Sequence, residues 1–158
     1  MGRHQNATDL NKLAAAEMVP AHAKRLLDEW VAAARQLAEL AAKPAATTAD
    51  ALAAVAEISR HEAQIAQLKR ELLEVCHLGG ESLTHIADRL AIKPQTARKW
   101  AAGGWGAQRG KPLVRDASRR DGWWPAPETV PVSSVDVAAA VDEAVYGTTS
   151  GNVTGGGP

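Results

Sequence analysis

From Pro94 to Trp100 the chain reads PQTARKW, which sets Gln95, Thr96, Arg98 and Lys99 close together around a single alanine. Amide, hydroxyl, guanidinium and ammonium groups of this kind donate hydrogen bonds and carry charge; they recognise rather than break bonds. Residues suited to bond-making chemistry are scattered elsewhere. The histidines are His4, His22, His61, His77 and His85, and Cys76 is the lone cysteine. Cys76 and His77 are neighbours on an expected helix and diverge by about 100°, and no second cysteine completes a tetrahedral set. Asp28-Glu29 and Asp142-Glu143 are sequential acidic pairs with no base beside them. Gly110-Lys111 fails as a phosphate loop, because Trp105 stands where the first glycine belongs and Pro112 where Ser or Thr is needed. Neither an enzyme nor a metal or other cofactor is expected, which leaves binding.

The charge distribution points the same way. The chain is neutral overall, yet residues 81–124 hold nine basic and four acidic side chains, while residues 125–158 hold four acidic and no basic ones. A local basic excess followed by an acidic tail suggests a polyanion surface on residues 81–124. One cysteine excludes an internal disulfide framework. The start, MGRHQNATDLNK, lacks an apolar signal core, and no run of 18 apolar residues occurs. A cytoplasmic chain with no membrane partner is expected.

Two short helices must position PQTARKW. Ser82 can cap a helix over Leu83 to Leu90, with Ile86 and Leu90 pointing inward and Ala87 small where a partner helix crosses. Ala91-Ile92-Lys93 makes a tight turn, and Pro94 takes the first position of the next helix, where its missing N–H costs little. Ala97 and Trp100 then face inward, leaving Gln95, Thr96, Arg98 and Lys99 outside.

Ile86, Ala87, Leu90, Ala91, Ile92, Ala97 and Trp100 together resemble the helix-turn-helix of bacterial and phage DNA-binding regulators, over about twenty residues. Two positions depart from that pattern: Ala91 stands where the turn usually has glycine, and Lys93 where a Ser or Thr cap is common. The resemblance implies that the second helix enters the major groove of double-stranded DNA. It assigns Gln95 to adenine, Arg98 to guanine and Thr96 to a thymine methyl or a phosphate, with Lys93 and Lys99 on phosphates. It further implies a transcriptional regulator acting as a dimer on a pseudo-palindromic site. A packaging or partition factor of small-terminase type, and a coiled-coil adaptor without a nucleic-acid role, are the alternatives.

Upstream lies an arm rich in alanine, in a chain with no phenylalanine to fill a bulky core. Residues 1–20 read as a loose start and a short helix from Asp9, broken at Val19-Pro20. Residues 21–80 read as a long antiparallel helical hairpin. Leu26, Trp30, Ala33, Leu37 and Leu40 form one stripe on its first helix, over residues 21–43. Pro44 ends that helix, Thr47 or Thr48 caps the next, and Gly79-Gly80 closes it. Along the second helix Ala51, Ala54, Ile58, His61, Ile65, Leu68, Leu72 and Val75 keep a three-four rhythm. Leu26, Trp30, Leu37, Ile58, Ile65, Leu68, Leu72 and Val75 are therefore the expected self-association residues of a homodimer. His61 sits on that core rhythm and is expected as a buried or partly buried packing residue, at a place where protonation below about pH 6 would act against a dimer.

Downstream, Arg109, Lys111, Arg115, Arg119 and Arg120 crowd into a basic segment after the glycine-rich turn AAGGWG. Leu113-Val114 and Trp123-Trp124 form the strands of a small β-wing around DASRRDG, a basic loop pinned by its tryptophans being the alternative. In the wing these five side chains lie along a phosphate backbone. Trp105, Trp123 and Trp124 serve packing more often than base stacking. Residues 125–158 make an acidic, disordered tail with one short helix over 135–146, suited to a protein partner. The fold class expected is all-α: helical arm, helix-turn-helix over residues 81–124 with a small wing, and tail.

Overall fold

The computed structural model describes residues 5–127, and the helix expected over 135–146 lies outside them. The described chain is mostly helical, with one two-stranded sheet.

α1 runs Asp9–Ala42. Thr8 Oγ1 accepts from the Asn11 amide at 3.1 Å, and Asn11 Oδ1 accepts from the Thr8 amide at 3.1 Å, so two otherwise orphan donors are met reciprocally. The break expected at Val19-Pro20 is absent: α1 continues through Pro20. Pro20 and Ala16 both lie on the exposed side, so the carbonyl that loses its helical partner is left toward water rather than in the core.

α2 runs Thr48–Leu78, with Thr47 and Asp50 repeating the reciprocal cap. Lys43 Nζ reaches the same Asp50 carboxylate at 2.7 Å, tying the end of α1 to the start of α2. The Lys43 hydrogen bond, with those from Thr47, holds the Asp50 carboxyl well below the usual carboxylate range. Going along α1, Glu29 meets His61 at 2.6 Å and His22 approaches Glu71 at 4.0 Å, so the partners recede along α2 and the helices run in opposite directions. A Cβ on Gly79 would come within 2.9 Å of Ala15 Cβ, so only glycine permits that approach of the α2 end to α1. Gly80 then takes the positive φ, at 121°, that turns the chain out of the helix.

β1, Leu113–Arg115, pairs antiparallel with β2, Trp123–Pro125, setting Val114 opposite Trp124 and Arg115 opposite Trp123. Leu113 and Trp123 point inward and join Ala14, Ala15, Met18, Val75 and Leu78 in one core cluster. Tryptophan from the hairpin thus supplies bulk that an alanine-rich arm lacks. A second cluster, Ile86, Ala87 and Ala97, packs with Leu73, Leu83 and Ile92.

Three of the eight residues expected at a partner contact are taken up inside the chain. Ile65, Leu68 and Val75 are buried within the chain, and Leu26, Ile58 and Leu72 are partly covered, whereas Trp30 and Leu37 remain exposed. The α2 stripe is used up against the chain's own elements. His61 is partly buried, as a packing residue on that rhythm would be, and pairs with Glu29 of the same chain.

Candidate nucleic-acid interface

Two short helices meet at the second core cluster. Ser82 Oγ accepts from the His85 amide at 3.0 Å and starts α3, Leu83–Leu90. Ala91 then adopts φ 51°, ψ 40°, the left-handed region, and the Ile92 amide bonds back to the Ala87 carbonyl at 3.0 Å. This is glycine's usual conformation at a helix end, held here by alanine at a cost of about 1–2 kcal/mol. Lys93 precedes α4, Pro94–Ala101, and supplies no side-chain cap; only its carbonyl engages, accepting from Thr96 and Ala97.

α4 is polarised around its axis. Ala97 and Ala101 are buried and Trp100 partly so, while Gln95, Arg98 and Lys99 share the exposed arc with Thr96 at its edge. Lys93, Arg98, Lys99 and Lys111 have no side-chain hydrogen bond or ion pair among the described residues. The exposed arc is bordered by two clefts. One, of about 540 Å³, has Gln95, Thr96 and Lys99 on one wall and Gln67, Arg70 and Glu74 of α2 on the other. The second, of about 520 Å³, lies between Arg98 with Pro94 and the start of α3 at Ser82 and Thr84. Gln67 and Arg70 are therefore neighbours of the α4 surface that the sequence did not single out. Their only sequence signal is the local Lys69-Arg70 pair late in α2.

The basic segment is placed differently from the expectation of five phosphate contacts. Arg109 turns inward: its guanidinium donates to the carbonyls of Gln5 at 3.1 Å, His77 at 3.0 Å, Glu81 at 2.8 Å and Gly80 at 3.3 Å. One of these acceptors, His77, lies in the last turn of α2 and the others in the segments beside it, so Arg109 is a clamp rather than a free cation. Arg115 pairs with Glu17 and lies 4.9 Å over the Trp123 ring, whose indole N–H donates to the other Glu17 oxygen at 3.0 Å. Arg119 bonds Asp116 at 3.2 Å and stacks 3.9 Å from the Trp124 ring centre, and Arg120 stands 3.8 Å from Glu71. Of the five, Lys111 alone is exposed without a side-chain partner among the described residues.

The fold also gathers polar groups that the sequence did not connect. Asn11 is fully buried: its Oδ1 accepts from the Gly110 amide at 2.7 Å and its Nδ2 donates to the Lys111 carbonyl at 3.0 Å. His22, 2% exposed, faces Asp121 of the hairpin at 3.3 Å, with Glu71 and Arg25 close by. Burial lowers the His22 pKa, Arg25 adding to the effect against the carboxylates of Asp121 and Glu71. Burial works against ionised Asp121, but hydrogen bonds from Arg25 at 2.9 Å and the Trp105 indole at 3.0 Å prevail and hold its carboxyl below the usual range. Burial pushes Glu74 and Cys76 up. Among the described residues no three His, Cys, Asp or Glu side chains converge as a metal site, and no helix is long and apolar enough to cross a membrane.

No family model, no curated protein and no solved structure matches the chain.

Proposed function

We propose that the chain binds double-stranded DNA sequence-specifically, with α3, the Ala91 turn and α4 acting as a helix-turn-helix, and that it serves as a dimeric transcriptional regulator. One observation carries this reading: α4 buries its alanines and offers Gln95, Arg98 and Lys99 on a single exposed arc, the two cations without side-chain partners among the described residues. Four of the five basic residues downstream are instead tied to carbonyls, carboxylates or indoles. Lying in a major groove, the arc directs Arg98 to guanine and Gln95 to adenine, with Thr96 at a thymine methyl or phosphate. Lys93, Lys99 and Lys111 meet the phosphate backbone, and Arg70 borders the same surface. Arg115, Arg119 and Arg120 retain charge near the backbone while their geometry is set by Glu17, Asp116 and Glu71.

Selection of bound sequences from a random duplex pool tests the reading. A recovered motif with two related half-sites, and affinity that falls steeply with salt, is the expected result. An unenriched pool, with no binding to random duplex even at low salt, rejects DNA binding and leaves the adaptor reading.

A further inference from the structure

The outer face of α1 is apolar where no other described part of the chain covers it. Leu27 is 60% exposed, Trp30 53%, Val31 51% and Leu37 53%. With Ala34, also exposed, they follow steps of three and four along one stripe. The opposite side of α1 is already committed, since Glu29 meets His61 and Ala33 is buried. Four large apolar groups on consecutive turns exceed the scattered exposure that soluble surfaces tolerate.

The border of this stripe specifies what covers it. Along it run Lys24, Asp28, Arg35 and Glu39, charges that alternate in sign and sum to zero, Lys24 and Asp28 also meeting each other within α1 at 2.6 Å. Turned end for end about a point near Val31 and Ala32, the row becomes its own complement. Lys24 then falls opposite Glu39 of a second copy, and Asp28 opposite Arg35. The same turn brings Leu27 within one residue of Leu37 and Trp30 within one residue of Ala34, large against small. A neutral, self-complementary row fits an isologous two-fold contact rather than a partner of one sign.

We infer that this face is where two copies of the chain meet, α1 against α1 in antiparallel order, centred near Val31 and Ala32. The contact uses Leu27 and Val31, which lie outside the stripe expected from the sequence, and leaves the buried Ile65, Leu68 and Val75 undisturbed. Leu52 and Val55 form a shorter exposed patch on the outer side of α2 and take no part. α4 borders Gln67 to Glu74 of α2, level with His22 of α1. Two copies of α4 are then spaced on the order of 30 Å along the arm, close to one turn of duplex. That last consequence rests on the DNA-binding reading; the pairing itself does not.

The test is the mass of the full chain without DNA, by light scattering and sedimentation at micromolar concentrations. Twice 16.6 kDa is expected. Leu27→Glu with Val31→Glu gives a monomer of unchanged far-UV circular dichroism, whereas Leu52→Glu stays dimeric. Asp28→Arg or Arg35→Asp alone weakens dimerisation roughly tenfold, since each disrupts two symmetric pairs. Together they restore it. A monomeric or higher-order parent, a dimer that survives the Leu27 and Val31 changes or is lost with Leu52→Glu, single charge reversals without effect, or a double swap that fails to recover overturns the pairing. A dimer that binds no duplex rejects the DNA reading alone.

Discussion

His22 Nε2 lies 3.3 Å from Asp121 Oδ1, bringing the middle of α1 to the hairpin turn. Neither imidazole nitrogen has hydrogen-bond geometry to a partner among the described residues, and burial lowers the ring's pKa. Because its folded pKa lies below the unfolded value of 6.5, the unfolded chain takes up the proton more readily. Stability is therefore full above about pH 6.5 and declines as pH falls below it toward the folded pKa. Asp121, with its carboxyl held low, contributes stability above its unfolded value of 3.8 that is lost as pH falls through its folded pKa. Thermal midpoints measured from pH 7.5 to 5.0 should fall, with His22→Gln flattening the decline. A rising midpoint contradicts this account.

Arg109→Met removes a guanidinium that holds four backbone carbonyls. The expected cost is about 2 kcal/mol, read by urea unfolding, because four carbonyls, that of His77 partly buried, lose charged donors at once. Lys111→Met, on an exposed side chain, should stay within about 0.5 kcal/mol. Equal losses in the two variants would show that Arg109 is not a clamp.

Ala91→Gly should stabilise the chain by about 0.5–1 kcal/mol. Relief of a left-handed alanine, worth about 1–2 kcal/mol, outweighs the added freedom of glycine in the unfolded state, about 0.5–1 kcal/mol. A denaturant midpoint that shifts down instead would contradict the left-handed turn.

Lys93→Ser separates stability from binding. A serine there caps α4 and adds roughly 0.5–1 kcal/mol. If Lys93 meets a phosphate, affinity drops evenly across DNA sequences and the salt slope falls by about one. Greater stability with unchanged salt dependence would remove Lys93 from the interface.

Arg98→Ala should leave stability within about 0.5 kcal/mol, since its side chain is exposed and has no partner among the described residues. The expected loss is about 1–3 kcal/mol of discrimination at one base pair, measured by anisotropy on matched and substituted duplexes. Unchanged binding to both retires its base-reading role.

Much of the local structure is legible along the chain because local chemistry writes it. Caps at Thr47 and Ser82, Pro94 at a helix start, Gly79-Gly80 at a helix end and apolar steps of three and four act within a few residues of backbone. The strands at Leu113 and Trp123 bracket their turn in the same local way. Pro20 misled for want of one non-local fact: its carbonyl partner faces water, so the lost bond is tolerated. The fates of Arg109 and Arg115 depend on acceptors about a hundred residues away at Gln5 and Glu17, and composition reads both simply as basic. The α1 and α2 stripes have the same periodicity, yet packing consumes the second and leaves much of the first in water. Periodicity tells which side of a helix is apolar; only the placement of the other elements decides whether that side is already covered.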